Sequence, residues 1–67
     1  MAKNKIAGYR VMLGKTQKQM GEELGIKPQS YSAKENGKRA FKDNEKKIIK
    51  NMISVLFPDI TYEDLFF

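Results

Sequence analysis

This chain of 67 residues contains no histidine and no cysteine, so two of the side chains that most often make and break bonds are missing. The commonest general base, the commonest metal ligand and every thiolate go with them. The chemistry that remains is concentrated in one stretch. Between residues 16 and 42 stand Thr16, Gln17, Gln19, Gln29, Ser30, Ser32 and Asn36, interleaved with Lys18, Lys27, Lys34, Lys38, Arg39 and Lys42. Amides, hydroxyls and cations at this density can donate and accept hydrogen bonds and neutralise charge. The other Lys, Glu and Tyr side chains are scattered, with no ligand-spaced cluster and no nucleophile beside a base. We expect binding and not catalysis, with no catalytic residue, no metal and no cofactor.

The charge says what kind of ligand. Thirteen basic against eight acidic side chains give +5 and a pI near 9.6, at the level expected of nucleic-acid binders. Residues 1–42 hold ten of the basic and three of the acidic groups, whereas residues 43–67 hold three and five. A basic first part joined to a mildly acidic tail suggests one face for a polyanion and another segment for packing or a partner. No uninterrupted apolar run exceeds three residues, so we expect no membrane span. The opening MAKNKIAGYR lacks the apolar core of a signal peptide, and we expect a cytoplasmic chain.

These side chains must be positioned by helices, because the apolar spacing is helical nearly throughout. Ile6, Tyr9, Arg10 and Leu13 stand at i, i+3, i+4 and i+7, predicting a first helix over about 3–13 ended by Gly14. Thr16-Gln17-Lys18-Gln19 fits a capping box and opens a short helix over about 17–24, with Met20 and Leu24 inward and Gly25 as its stop. Pro28 suits the first position of a third helix over 28–36, with Tyr31 and Glu35 on its inner side and Gly37 at its end. A basic loop, Lys38 to Lys42, leads to a fourth helix. Asp43 or Asn44 would cap it, Ile48, Ile49, Met52, Ile53 and Leu56 would face inward, and Pro58 forbids its continuation. Thr61 can cap a last turn from Tyr62 to Phe66. The expectation is one all-α domain over residues 1–67, a bundle of four to five short helices.

Two short helices joined by a three-residue turn through Gly25, in a basic setting, carry the pattern of a helix-turn-helix over about 16–36. Met20, Leu24, Ile26 and Tyr31 would clamp beneath it, and Gly21 stands where the helices would approach most closely. The run Thr16-Gln-Lys-Gln-Met-Gly-Glu-Glu-Leu-Gly-Ile26, then Gln29-Ser-Tyr-Ser32, then Glu35-Asn-Gly-Lys-Arg39, resembles the Cro and phage-repressor (XRE-type) helix-turn-helix family. The closing Ile60 to Phe66 is similar to the last helix of small prophage regulators in that group, so the resemblance runs over residues 5–66.

The resemblance implies a lambda-repressor-like fold and a sequence-specific regulator of transcription, a repressor, that inserts the helix at 28–36 into the major groove of double-stranded DNA. It also implies a homodimer on a pseudopalindromic operator. Gln29 would read a base, a glutamine there being able to bond adenine N6 and N7, with Ser32 and Ala33 following on the groove side. Gln17, Lys27, Ser30, Asn36, Lys38, Arg39 and Lys42 would contact phosphates. Arg10 and Glu35 match an ion pair that braces this helix in relatives, and Arg10→Met is expected to be milder than Glu35→Ala. Two positions depart from the pattern. Pro28 stands where some relatives read a base with glutamine, and Lys34 where relatives pack an apolar side chain. A lysine there is expected to lay its stem on the core with its ammonium in water. Leu65 and Phe66 are expected in the core and Phe67 at an interface. An alternative reading is an antitoxin or antirepressor-like module that binds a protein partner through this aromatic C-terminal tail.

Overall fold

The computed structural model describes residues 5–66. Over them the chain is all-helical, in the order α1 (Ile6–Met12), α2 (Gln17–Leu24), α3 (Pro28–Glu35), α4 (Asp43–Ser54) and α5 (Tyr62–Phe66). Local signals account for most of these boundaries. At the start of α2 the Thr16 hydroxyl accepts the Gln19 N–H at 3.1 Å while the Gln19 amide oxygen accepts the Thr16 N–H at 2.8 Å. Two orphan donors are thereby satisfied reciprocally. Thr61 and Asp64 repeat the arrangement before α5, each bond 3.1 Å long.

The turn between α2 and α3 depends on two glycines. Gly25 adopts φ +71°, a left-handed conformation that costs other residues energy, and this turns the Ile26 N–H back onto the Gly21 carbonyl at 2.9 Å. Gly21 is buried beneath that crossing. A Cβ placed there would stand 2.9 Å from the Ile26 carbonyl oxygen, so only glycine lets the turn close at this distance.

The two helices are held from below by one core of Ile6, Met20, Leu24, Tyr31, Phe41, Ile49, Ile53, Ile60 and Leu65. Phe41 joins its parts, with its ring 6.0 Å from Tyr31 and 5.6 Å from Phe66. The tail closes on the start of the chain through the Lys5 N–H and the Leu65 carbonyl at 3.2 Å. Leu65 is fully buried and Phe66 half-buried, as expected; Phe67 lies outside the described residues.

Several expectations are corrected. The first helix begins at Ile6, and the part expected before residue 5 lies outside the described residues. The third helix ends at Glu35, with Asn36 as its cap. Neither Asp43 nor Asn44 caps α4: Lys42 is the residue before its first turn, and the Glu45 carboxylate reaches back to the Lys42 N–H at 2.8 Å. The fourth helix stops at Ser54, not Leu56. The Phe57 N–H returns to the Ile53 carbonyl ahead of Pro58, and this turn leaves Leu56 half exposed at 48%. Lys34 is corrected most sharply. Its ammonium is buried against Glu45 instead of reaching water.

Candidate nucleic-acid interface

Pro28 begins α3, and its ring fixes the backbone angle the first turn requires. From there the helix turns Tyr31, Lys34 and Glu35 into the body. The opposite side of α3 is left to solvent. Gln17, Pro28, Gln29, Ser32, Ala33, Asn36 and Lys38 line one shallow cleft on it. Three residues expected to face bases and three expected to touch phosphates thus share a surface, although 21 positions separate the first from the last.

The remaining expected contacts lie around this cleft. Lys27 precedes α3, and its side chain is exposed with no capping bond. Arg39 is exposed and lines a neighbouring hollow with Lys38, Lys46, Phe41 and Phe66; Lys38 belongs to both surfaces. Lys42 is exposed at the end of the same loop. Ser30 is half-buried and is not among the residues lining the cleft. Asn36 donates its amide to the Ser32 hydroxyl at 3.3 Å, orienting two groups at the C-terminal end of the cleft.

Behind the cleft, and tied to it through Gln17, lies the buried Glu35 carboxylate. Arg10 reaches it with Nε at 2.8 Å and Nη2 at 3.3 Å, Tyr31 donates its hydroxyl at 2.6 Å and Gln17 its Nε2 at 3.0 Å. Burial pushes the Glu35 pKa upward, but these donors outweigh it and hold the carboxyl below its usual value. Arg10 is raised in return, chiefly by its hydrogen bond to Glu35. Tyr31 is raised well above the ordinary phenol range by burial, with the neighbouring carboxylate adding to it. Gln17 therefore does not project freely from α2. One of its two amide hydrogens is committed to Glu35, and the rest of the carboxamide is open to the cleft.

The pairing of Lys34 with Glu45, at 2.6 Å, was not legible in the sequence. The only signal was a lysine on the inner side of one helix and a glutamate near the start of the next. Among the described residues no buried side-chain nitrogen or oxygen lacks a hydrogen-bond partner, and no group of acidic residues is arranged to hold a metal ion. No described helix is long and apolar enough to cross a membrane. What the cleft offers is three side-chain amides, two half-buried small residues and a rim of cations, which suits hydrogen bonding to a polyanion with a regular surface.

Comparison with protein families gives a match to the helix-turn-helix model over residues 6–44, from the first residue of α1 to the start of α4. No curated protein and no solved structure matches the chain.

Proposed function

The chain belongs to the Cro and phage-repressor (XRE-type) helix-turn-helix family, a family of DNA-binding regulators, and we propose that it is a sequence-specific prophage-type repressor acting in the cytoplasm. The observation that carries this reading is the shared cleft of Gln29, Ser32 and Ala33 with Gln17, Asn36 and Lys38. Docked with its open side in the major groove, α3 brings Gln29 to the base edges, where its amide can bond adenine N6 and N7. Gln17, Asn36 and Lys38 then face the backbone, with Lys27, Ser30, Arg39 and Lys42 at the margins. Affinity comes mainly from the phosphates. Engagement of six to eight groups corresponds to a slope of about −5 to −7 in log K against log salt.

One α3 reads few base pairs, so the protein acts as a homodimer on a pseudopalindrome with half-sites about 34 Å apart. The surface best suited to the dimer contact is the end of α4, where Val55 is 81% and Leu56 48% exposed. Leu56, Phe57, Pro58 and Ile60 line an apolar groove there, rimmed by Asp59 and Asp64. The same groove favours the second reading, an antitoxin or antirepressor-like module with a protein partner.

Selection of duplexes from a random pool at near-physiological salt tests the proposal. An enriched inverted repeat with half-sites one helical turn apart supports it. Binding without enrichment would reduce the protein to phosphate-driven association, and no binding would move the weight to a protein partner on the groove.

A further inference from the structure

Lys34 and Glu45 lie in the interior at 4% and 2% exposure. The Lys34 ammonium donates to Glu45 Oε1 at 2.6 Å, and the same oxygen accepts the Lys42 N–H at 2.8 Å. One carboxylate oxygen thus joins the last turn of α3 to the residue that precedes α4. The loop between them is fastened at its other end as well. The Gly37 N–H bonds the Lys34 carbonyl at 3.2 Å, and the Lys38 and Arg39 N–H groups bond the Ala33 carbonyl at 2.9 and 3.3 Å. The segment 37–42 is therefore closed on α3 at its start and on Glu45 at its finish.

A buried ion pair is a poor way to gain stability, because desolvation of both charges consumes most of the attraction and an apolar pair of similar volume often does as well. What it adds is direction: a short bond between two charged groups fixes the distance between the elements bearing them, whereas apolar packing tolerates sliding. We infer that Glu45, held by Lys34, is a positioning residue that locks the loop carrying Lys38, Arg39 and Lys42 in register with the helix carrying Gln29, Ser32 and Ala33. Its functional consequence rests on the DNA reading above. Contacts to phosphates set the orientation in which a helix meets the base edges, so a loop in fixed register makes correct phosphate contact and correct base contact one event.

The test compares the parent chain with Lys34→Met/Glu45→Leu, in which both charges give way to apolar side chains, and with Lys34→Met/Glu45→Gln, which keeps an acceptor for the Lys42 N–H. Amide hydrogen exchange is read together with binding to the duplex enriched by selection and to a scrambled duplex. In the Met/Leu variant we expect the amides of Lys38, Arg39 and Lys42 to exchange at least tenfold faster, with those inside α2 unchanged. Preference for the selected duplex should fall about tenfold, while binding to the scrambled one stays within twofold. A folded Met/Leu variant with parental exchange and parental preference overturns the inference. Should that variant not fold, the Met/Gln variant decides: a loss of preference of about threefold or more upholds it and parental preference overturns it. If the parent prefers no duplex, the DNA reading fails by itself, and exchange at Lys38, Arg39 and Lys42 alone decides the positioning role.

Discussion

Arg10 Nε donates to Glu35 Oε2 at 2.8 Å, and the two partners are unequally buried: the arginine side chain is 17% exposed, the glutamate 3%. The sequence alone puts the larger penalty on losing Glu35, on the assumption that the guanidinium is the stranded charge. The geometry reverses that assumption. Arg10→Met leaves a carboxylate in the interior with only Tyr31 and Gln17 as donors. Glu35→Gln leaves a guanidinium that touches solvent and still donates to the Lys15 carbonyl at 2.9 Å. Arg10→Met should therefore destabilise by about 2–3 kcal/mol, below the full cost of breaking a buried pair because two hydrogen bonds survive. Glu35→Gln, which keeps an acceptor for Arg10 and Tyr31 where Glu35→Ala would not, should cost less, and urea titration of both variants orders them.

Stability should decline at both extremes of pH. Glu35 and Glu45 each feel burial pushing their pKa upward, overcome by the donors around them: Arg10, Tyr31 and Gln17 for the first, Lys34 and the Lys42 N–H for the second. Both are lowered on balance. Their contribution is complete above the unfolded glutamate value of about 4.3 and is lost as pH falls through the lowered folded values. Tyr31 is raised, by burial first, so its contribution is complete below about pH 10 and is lost as pH rises through the folded value. Thermal melts should be flat between these limits, and Tyr31→Phe should weaken the alkaline decline. An alkaline decline identical in Tyr31→Phe and the parent would remove Tyr31 from the account.

Gly21→Ala separates helix propensity from tertiary contact. Alanine favours a helix interior by about 1 kcal/mol over glycine. Here its Cβ would meet the Ile26 carbonyl oxygen at 2.9 Å, with the backbone of Lys27 and Pro28 close behind. None of these is the free end of a side chain, so the turn itself must move. Crowding of this kind costs about 1–3 kcal/mol, and the net effect should be destabilising despite the better helix former. A Gly21→Ala chain that melts at or above the parent temperature would sink this account of the turn.

The sequence carries whichever features are written locally. The capping box at Thr16–Gln19 and the stop at Gly25 sit within a few residues of the bonds they make, and both boundaries of α2 could be placed from them. The inward faces of α2 and α4 follow from spacing, as Met20, Leu24, Ile49 and Ile53 do. The pair of Lys34 and Glu45 depends instead on how α3 and α4 meet, and no spacing rule couples positions on two different helices. Leu56 misleads for a related reason. It continues the apolar period of α4, but the turn before Pro58 ends the helix first and carries the side chain outward. In the interface, residue types identified the candidates, whereas the use of the Gln17 amide by Glu35 is a consequence of packing.

The roles given to Gln29 and Lys38 are separable by experiment because their expected contacts differ in kind. Gln29 is exposed near the start of α3, and its proposed ligand is one base pair. Gln29→Ala should cost about 1–3 kcal/mol on the selected duplex and relax preference at a single position of each half-site, leaving the salt slope intact. Lys38 is exposed where the cleft meets the neighbouring basic hollow, and its proposed ligand is a phosphate. Lys38→Ala should weaken binding to every duplex alike and reduce the salt slope by about one in each half-site. Titrations of both variants at several salt concentrations, on the selected duplex and on one altered at the position assigned to Gln29, distinguish the two. If Lys38→Ala changes sequence preference, or Gln29→Ala lowers affinity for all duplexes equally, the docking of α3 has been given the wrong orientation and the assignments must be exchanged.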